Sequence, residues 1–152
     1  MQENFAGNII INLASLPDFL RTPILKKRMA EFFSMPEPER TEVVSNALEA
    51  GPTIPFPNFA KLFKTWLQVV AAMPQEQRDG LFSAYIAQVV KSPEKLVPYN
   101  LDGILGVFLE LDASQQRMIS ESVSKIILAL GSEQQRMMTL LIPDGARVRL
   151  GI

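Results

Sequence analysis

Apolar and polar positions along this chain follow a helical period, and breakers punctuate it at a fixed interval. Pro17, Pro36, Pro55, Pro74 and Pro93 stand 19 residues apart, and the next two steps fall on Asp112 and Gly131. Seven residues after each breaker come Ile24, Val43, Leu62, Leu81, Asn100, Ile119 and Met138. Eleven after come Arg28, Ala47, Trp66, Tyr85, Ile104, Val123 and Ile142, and fifteen after come Phe32, Gly51, Val70, Val89, Phe108 and Ile127. A spacing of four holds such positions on one face of a helix. Each unit therefore fits one helix of about 13 residues plus a turn, and a period of this kind indicates stacked supersecondary units.

The corners repeat as well. Met35-Pro36-Glu37-Pro38-Glu39-Arg40 and Met73-Pro74-Gln75-Glu76-Gln77-Arg78 are 38 residues apart. Leu111-Asp112-Ala113-Ser114-Gln115-Gln116-Arg117 follows after another 38 with one residue inserted. In chain order the pattern predicts a first helix over Phe5–Ser15, then breaks at Pro17 and Pro23, then a helix from Ile24 to Ser34. Ser34 and Glu37 have capping-box spacing, as do Asp112 with Gln115 and Ser132 with Gln135. Gly51 to Pro57 reads as a stiff, extended connector, and a long central hairpin is expected from Asn58 to Val90. Leu101 to Glu110 is apolar nearly all round, which predicts the most buried helix. The tail from Ala146 to Ile152 alternates like a strand.

The fold expected is all-α: a right-handed αα-hairpin repeat array with six or seven helices and a hairpin period of 38 residues. Residues 1–142 form the single helical-repeat domain, and residues 143–152 a C-terminal turn and extended tail. An isolated helix of this length is marginal in water, so neighbouring units must cover its apolar stripe. On its period, most of the chain is similar to HEAT-type and related α-solenoids; that likeness is architectural and assigns no site residue. The Gln-Gln-Arg corners look like the Gln-bearing repeats of periplasmic metal-stress chaperones. Those carry an export signal that Met1-Gln2-Glu3-Asn4-Phe5 does not show, and the likeness is set aside.

Composition narrows the function classes. The chain is 47% hydrophobic with a mean hydropathy of +0.12, yet its densest apolar run, Ile104 to Leu111, is far shorter than a membrane span. The surplus points to a deeply packed array or to an apolar surface kept for a partner. A net charge of −1, balanced in both halves, lacks the basic footprint of a nucleic-acid binder. There is no cysteine and no histidine, which removes thiol chemistry, the commonest general base and the commonest metal ligand. No enzyme activity, no cofactor, no metal site and a cytoplasmic setting are the resulting expectations.

Two groups of residues remain as candidates. Arg40, Arg78 and Arg117 stand at the corners, with Arg21 and Arg136 close to equivalent positions. Arginine near a helix N-terminus opposes the dipole, so something must offset it. Either the three form a row that grips an acidic partner segment, or each ties its own turn to a neighbour through a carboxylate or a helix-end carbonyl. Trp66 and Tyr85 face each other across the central corner, as a core pair or, with Phe63 and Phe82, as the lining of an apolar ligand site. Lys26-Lys27-Arg28 is a small basic cluster on one helix. The first function expected is a noncatalytic repeat module or small scaffold that binds a protein partner or a second copy. The alternative is a helical protein holding an apolar small molecule or lipid near the central hairpin.

Overall fold

The 19-residue punctuation becomes a succession of helices that turn back at each breaker. The structure is a computed structural model that describes residues 5–150, with the backbone alone for residues 5–8, 146, 149 and 150. The helices are α1 (Phe5–Ala14), α2 (Asp18–Ser34), α3 (Glu37–Ala50), α4 (Phe56–Ala71), α5 (Gln75–Lys91), α6 (Leu101–Leu109), α7 (Ala113–Leu128), α8 (Ser132–Leu141) and α9 (Asp144–Leu150). The described residues contain no strand, and no helix among them is long and apolar enough to cross a membrane. The fold is all-α.

Helices two apart in sequence pack side by side: α1 on α3, α3 on α5, α5 on α7 and α7 on α9, with α2 on α4 and α4 on α6. Consecutive helices instead meet mainly through side chains, as where Trp66 of α4 stands edge-on to Phe82 and Tyr85 of α5. The apolar columns read from the sequence form this interior: Leu62, Leu81, Ile119 and Met138 are buried from one column, Phe32, Val70, Val89 and Ile127 from another.

Several local expectations change. The described residues hold more helices than six or seven; part of the tail expected to be extended forms α9, whose Asp144 sits in its first turn, and residues 151–152 of that tail lie outside the described residues. α2 runs through Pro23. The carbonyl that Pro23 cannot serve belongs to Phe19, which is 76% exposed and can turn to water. The connector after α3 begins as a 3-10 turn at Gly51–Thr53, tied by the Thr53 hydroxyl to the Ala50 carbonyl at 2.6 Å. Ser34 does not cap α3; its hydroxyl donates back to Ala30, and Pro36 opens the helix with no side-chain cap. The box at Asp112 and Gln115 is made in both directions, whereas Gln135 is drawn away from Ser132 to a different task.

The largest difference concerns α6. Only Val107 is buried there, and Leu109 is 40% exposed. An all-apolar sequence does not bury a helix that has a close neighbour on one side only. α6 packs on α4 at the end of its row, because α8 lies instead against α5 and α7.

Candidate functional site

The corners are the first candidate, and the structure gives them a different geometry from a row of free arginines. Arg78 is 7% exposed. Its guanidinium donates to the carbonyls of Met73 at 2.9 Å and Ala71 at 3.4 Å, and its Nε donates to the Ser122 hydroxyl of α7 at 3.0 Å. Those carbonyls close the C-terminal end of α4, where helix acceptors lack partners within the helix. Arg21, 2% exposed, does the same for α1: it donates to Leu13 at 3.1 Å, to the Leu16 carbonyl, and to the Asp18 carboxylate at 2.5 Å.

Two glutamines repeat the arrangement. Gln116 donates to Leu111 and Leu109 at 2.9 and 3.2 Å, and Gln135 to Leu130 and Leu128 at 2.8 and 3.1 Å. All four donors stand four residues after a breaker position, and three of them reach five and seven residues back. A guanidinium or a primary amide suits this place because each can donate to two carbonyls at once. The row expected from Arg40, Arg78 and Arg117 therefore loses its middle member to the corner itself. Arg117 is exposed and one residue out of phase; Arg40 is half-buried, with an Nε that has no hydrogen-bond partner. Arg21, noted beside the corners in the sequence, shares this phase, and the two missed members, Gln116 and Gln135, were visible as a phase rather than as a residue type.

Beside Arg78, a small polar cluster holds α5 against α7. Burial raises the pKa of Asp79, but the Ser122 hydroxyl, the Lys125 ammonium at 3.2 Å and the Arg78 charge outweigh it and hold the carboxyl below 3.8. No group of His, Cys, Asp or Glu among the described residues is arranged to hold a metal ion.

The interior is the second candidate. A cavity of about 530 Å³ lies between the helices, and Phe63, Trp66, Phe82 and Tyr85 all line it. Ala47 and Ile104, from the same column as Trp66 and Tyr85, line it too. Phe59, Phe63 and Trp66 succeed one another along α4 with ring centres 5.5 and 5.9 Å apart and planes within 13° of parallel. Trp66 then turns its neighbours edge-on, Phe82 at 5.7 Å and Tyr85 at 5.5 Å. Charged lining is confined to Arg28 and Glu31 of α2, which pair at 3.2 Å with half-exposed side chains and so mark the mouth.

The two tyrosines of the wall differ. Tyr99 donates to the Leu48 carbonyl at 2.7 Å, and it reaches that carbonyl only because residue 51 is glycine: a Cβ there would lie 2.2 Å from its hydroxyl. Burial, then the neighbouring Tyr85, pushes the Tyr99 pKa well above 10. Tyr85 is also deep, and burial raises its pKa to about 12. Its hydroxyl has no hydrogen-bond partner among the described residues, and part of its surface stays open to the cavity.

Size decides how this space is read. Native interiors hold few voids larger than a water molecule. A space this large is not a packing fault, and its volume falls in the range of ligand pockets. Compared with protein-family models, with curated proteins and with solved structures, the chain matches none.

Proposed function

We propose that this chain is a noncatalytic helical-repeat protein that binds an apolar small molecule or lipid in the cavity between its helices. The observation that carries the reading is the 530 Å³ space lined by Phe63, Trp66, Phe82 and Tyr85, with its charged lining only at Arg28 and Glu31. Packing between helices two apart supports an α-solenoid-like array, in which the inner faces form one continuous wall. Burying about ten methylenes gains about 8 kcal/mol gross, the free energy of micromolar binding before association costs, so a micromolar ligand must bury more apolar surface than that.

Trp66 is the one tryptophan of the chain and lies in the cavity wall, so the protein carries its own probe. Titration with medium-chain hydrocarbons and lipids is expected to shift its emission saturably. Native mass spectrometry of protein purified without detergent is expected to show added mass that denaturation releases. No saturable change with any apolar probe, and a clean subunit mass, would overturn the reading.

A second reading, a scaffold that binds a protein partner or a second copy, draws on a different region. Leu128, Leu140 and Val148 near the C-terminal end are 57, 82 and 81% exposed. Exposed apolar side chains at the end of a repeat array are what a further subunit would cover. Replacing Leu128 and Leu140 by serine should then lower the hydrodynamic mass or abolish partner capture without altering the Trp66 titration.

A further inference from the structure

We infer that the cavity's ligand is an uncharged, largely hydrocarbon molecule bearing one oxygen acceptor of the ketone, ester or ether kind, which accepts a hydrogen bond from the Tyr85 hydroxyl. This rests on the cavity-binding reading and specifies the ligand. Three classes of apolar ligand are distinguishable by what each does to Tyr85. The ring is positioned by Trp66, which it meets edge-on with ring centres 5.5 Å apart, in a wall shared by α4 and α5. Its hydroxyl meets no acceptor among the described residues, although Tyr99, in the same wall, has one in the Leu48 carbonyl. The hydroxyl faces the open space of the cavity, and a ligand that displaced water from it without offering an acceptor would leave a buried donor unpaired, which is costly.

A pure hydrocarbon in this space would seal the hydroxyl away from any acceptor. An anion such as a carboxylate would satisfy it, but a buried charge also needs a counter-charge. Arg28 is the one cationic side chain in the lining; it stands at the mouth and is already paired with Glu31 at 3.2 Å. The Glu31 carboxylate further disfavours an anionic head there. A neutral oxygen acceptor meets the Tyr85 donor with no uncompensated charge. The neighbouring rings of Phe63, Trp66 and Phe82 accommodate the hydrocarbon remainder.

The test uses three probes of equal chain length on the full chain: methyl undecyl ketone, tridecane and the tridecanoate anion, read by Trp66 fluorescence. The ketone is expected to bind tightest. Tyr85→Phe, which removes a hydroxyl that no described residue uses, is expected to weaken the ketone about 3–10-fold and to leave tridecane as tightly bound or tighter. Its melting temperature should match that of the parent chain, and the ketone–alkane comparison on the parent needs no variant at all. If ketone and alkane bind alike and Tyr85→Phe changes neither, the inference fails while the cavity reading stands. If tridecanoate binds best and Arg28→Ala weakens it, the ligand is an anionic amphiphile held at the mouth, and the inference is overturned. If none of the three binds, the cavity reading itself fails.

Discussion

The corners and the interior of this protein share one 19-residue sequence period, yet they treat their donors in opposite ways. At the corners, Arg21, Arg78, Gln116 and Gln135 each spend their N–H groups on carbonyls at the end of the preceding helix. In the interior, Tyr85 keeps a hydroxyl with no acceptor among the described residues, inside a space of about 530 Å³. Arg78, the middle residue of the expected binding row, is spent on its own corner, and the aromatic residues that look like a core line a cavity. Helix ends must be capped wherever they are buried, so a buried cation there is already committed. Aromatic side chains on facing helices, by contrast, can hold the helices apart and leave room between their rings.

The largest effect should come from breaking a corner. Arg78→Ala leaves the Met73 and Ala71 carbonyls and the Ser122 hydroxyl without their donor, and is expected to cost about 2–4 kcal/mol in urea unfolding. Arg117→Ala, on the exposed side of the same repeat, should stay within about 0.5 kcal/mol. Equal losses at both positions would erase the distinction between a capped corner and a free surface arginine.

Overpacking separates the interior from the rest of the core at the next level. Val44 is fully buried outside the cavity lining, and Ala47, one turn later, lies in it. Val44→Phe is expected to cost about 1–3 kcal/mol, whereas Ala47→Phe has space to enter and should cost less than about 1 kcal/mol. Ala47→Phe should also weaken any apolar ligand followed through Trp66. A matching loss in both variants would mean that the cavity closes up in solution.

The glutamine corners sharpen the comparison within the corners. Gln116→Ala and Gln135→Ala each remove a neutral donor from two carbonyls, one exposed and one part-buried, and a loss of about 1 kcal/mol each is expected. That is less than at Arg78, whose donor is charged, buried and bridged to α7.

The smallest effects are in pH. Asp79 has a folded pKa below 3.8, so its contribution is fully present above that value and is lost as pH falls through the lower folded one. Asp79→Asn should flatten the acid limb of a stability profile. Tyr85 is the opposite case: its pKa is raised from 10.0 to about 12, so its contribution is present below pH 10 and lost as pH rises toward 12. Tyr85→Phe should flatten the alkaline limb and remove the matching part of the phenolate absorbance titration.

Much of the local structure was legible in the sequence. A period of 19 residues with apolar positions four apart specifies helices and turns, because both follow from backbone geometry and from where proline can stand. The capping box at Asp112 and Gln115 was readable for the same reason, being made within four residues of chain. The helical tail was misread because a seven-residue alternation is a weak pattern, and docking against α7 decides its conformation. Burial was less legible still: α6 has the most apolar sequence and buries only Val107, because burial depends on which neighbour arrives.

The candidate sites divide along the same line. That Phe63, Trp66, Phe82 and Tyr85 share one place follows from their phase on two consecutive helices. Whether their rings meet in a filled core or border a cavity depends on the distance between those helices, and tertiary packing sets that distance. Arg78 and Arg117 are one residue type, and the one-residue insertion before Arg117 already separates them in the sequence. One residue of phase turns a helical side chain by about 100°, and that rotation carries one guanidinium into the corner and leaves the other in solvent.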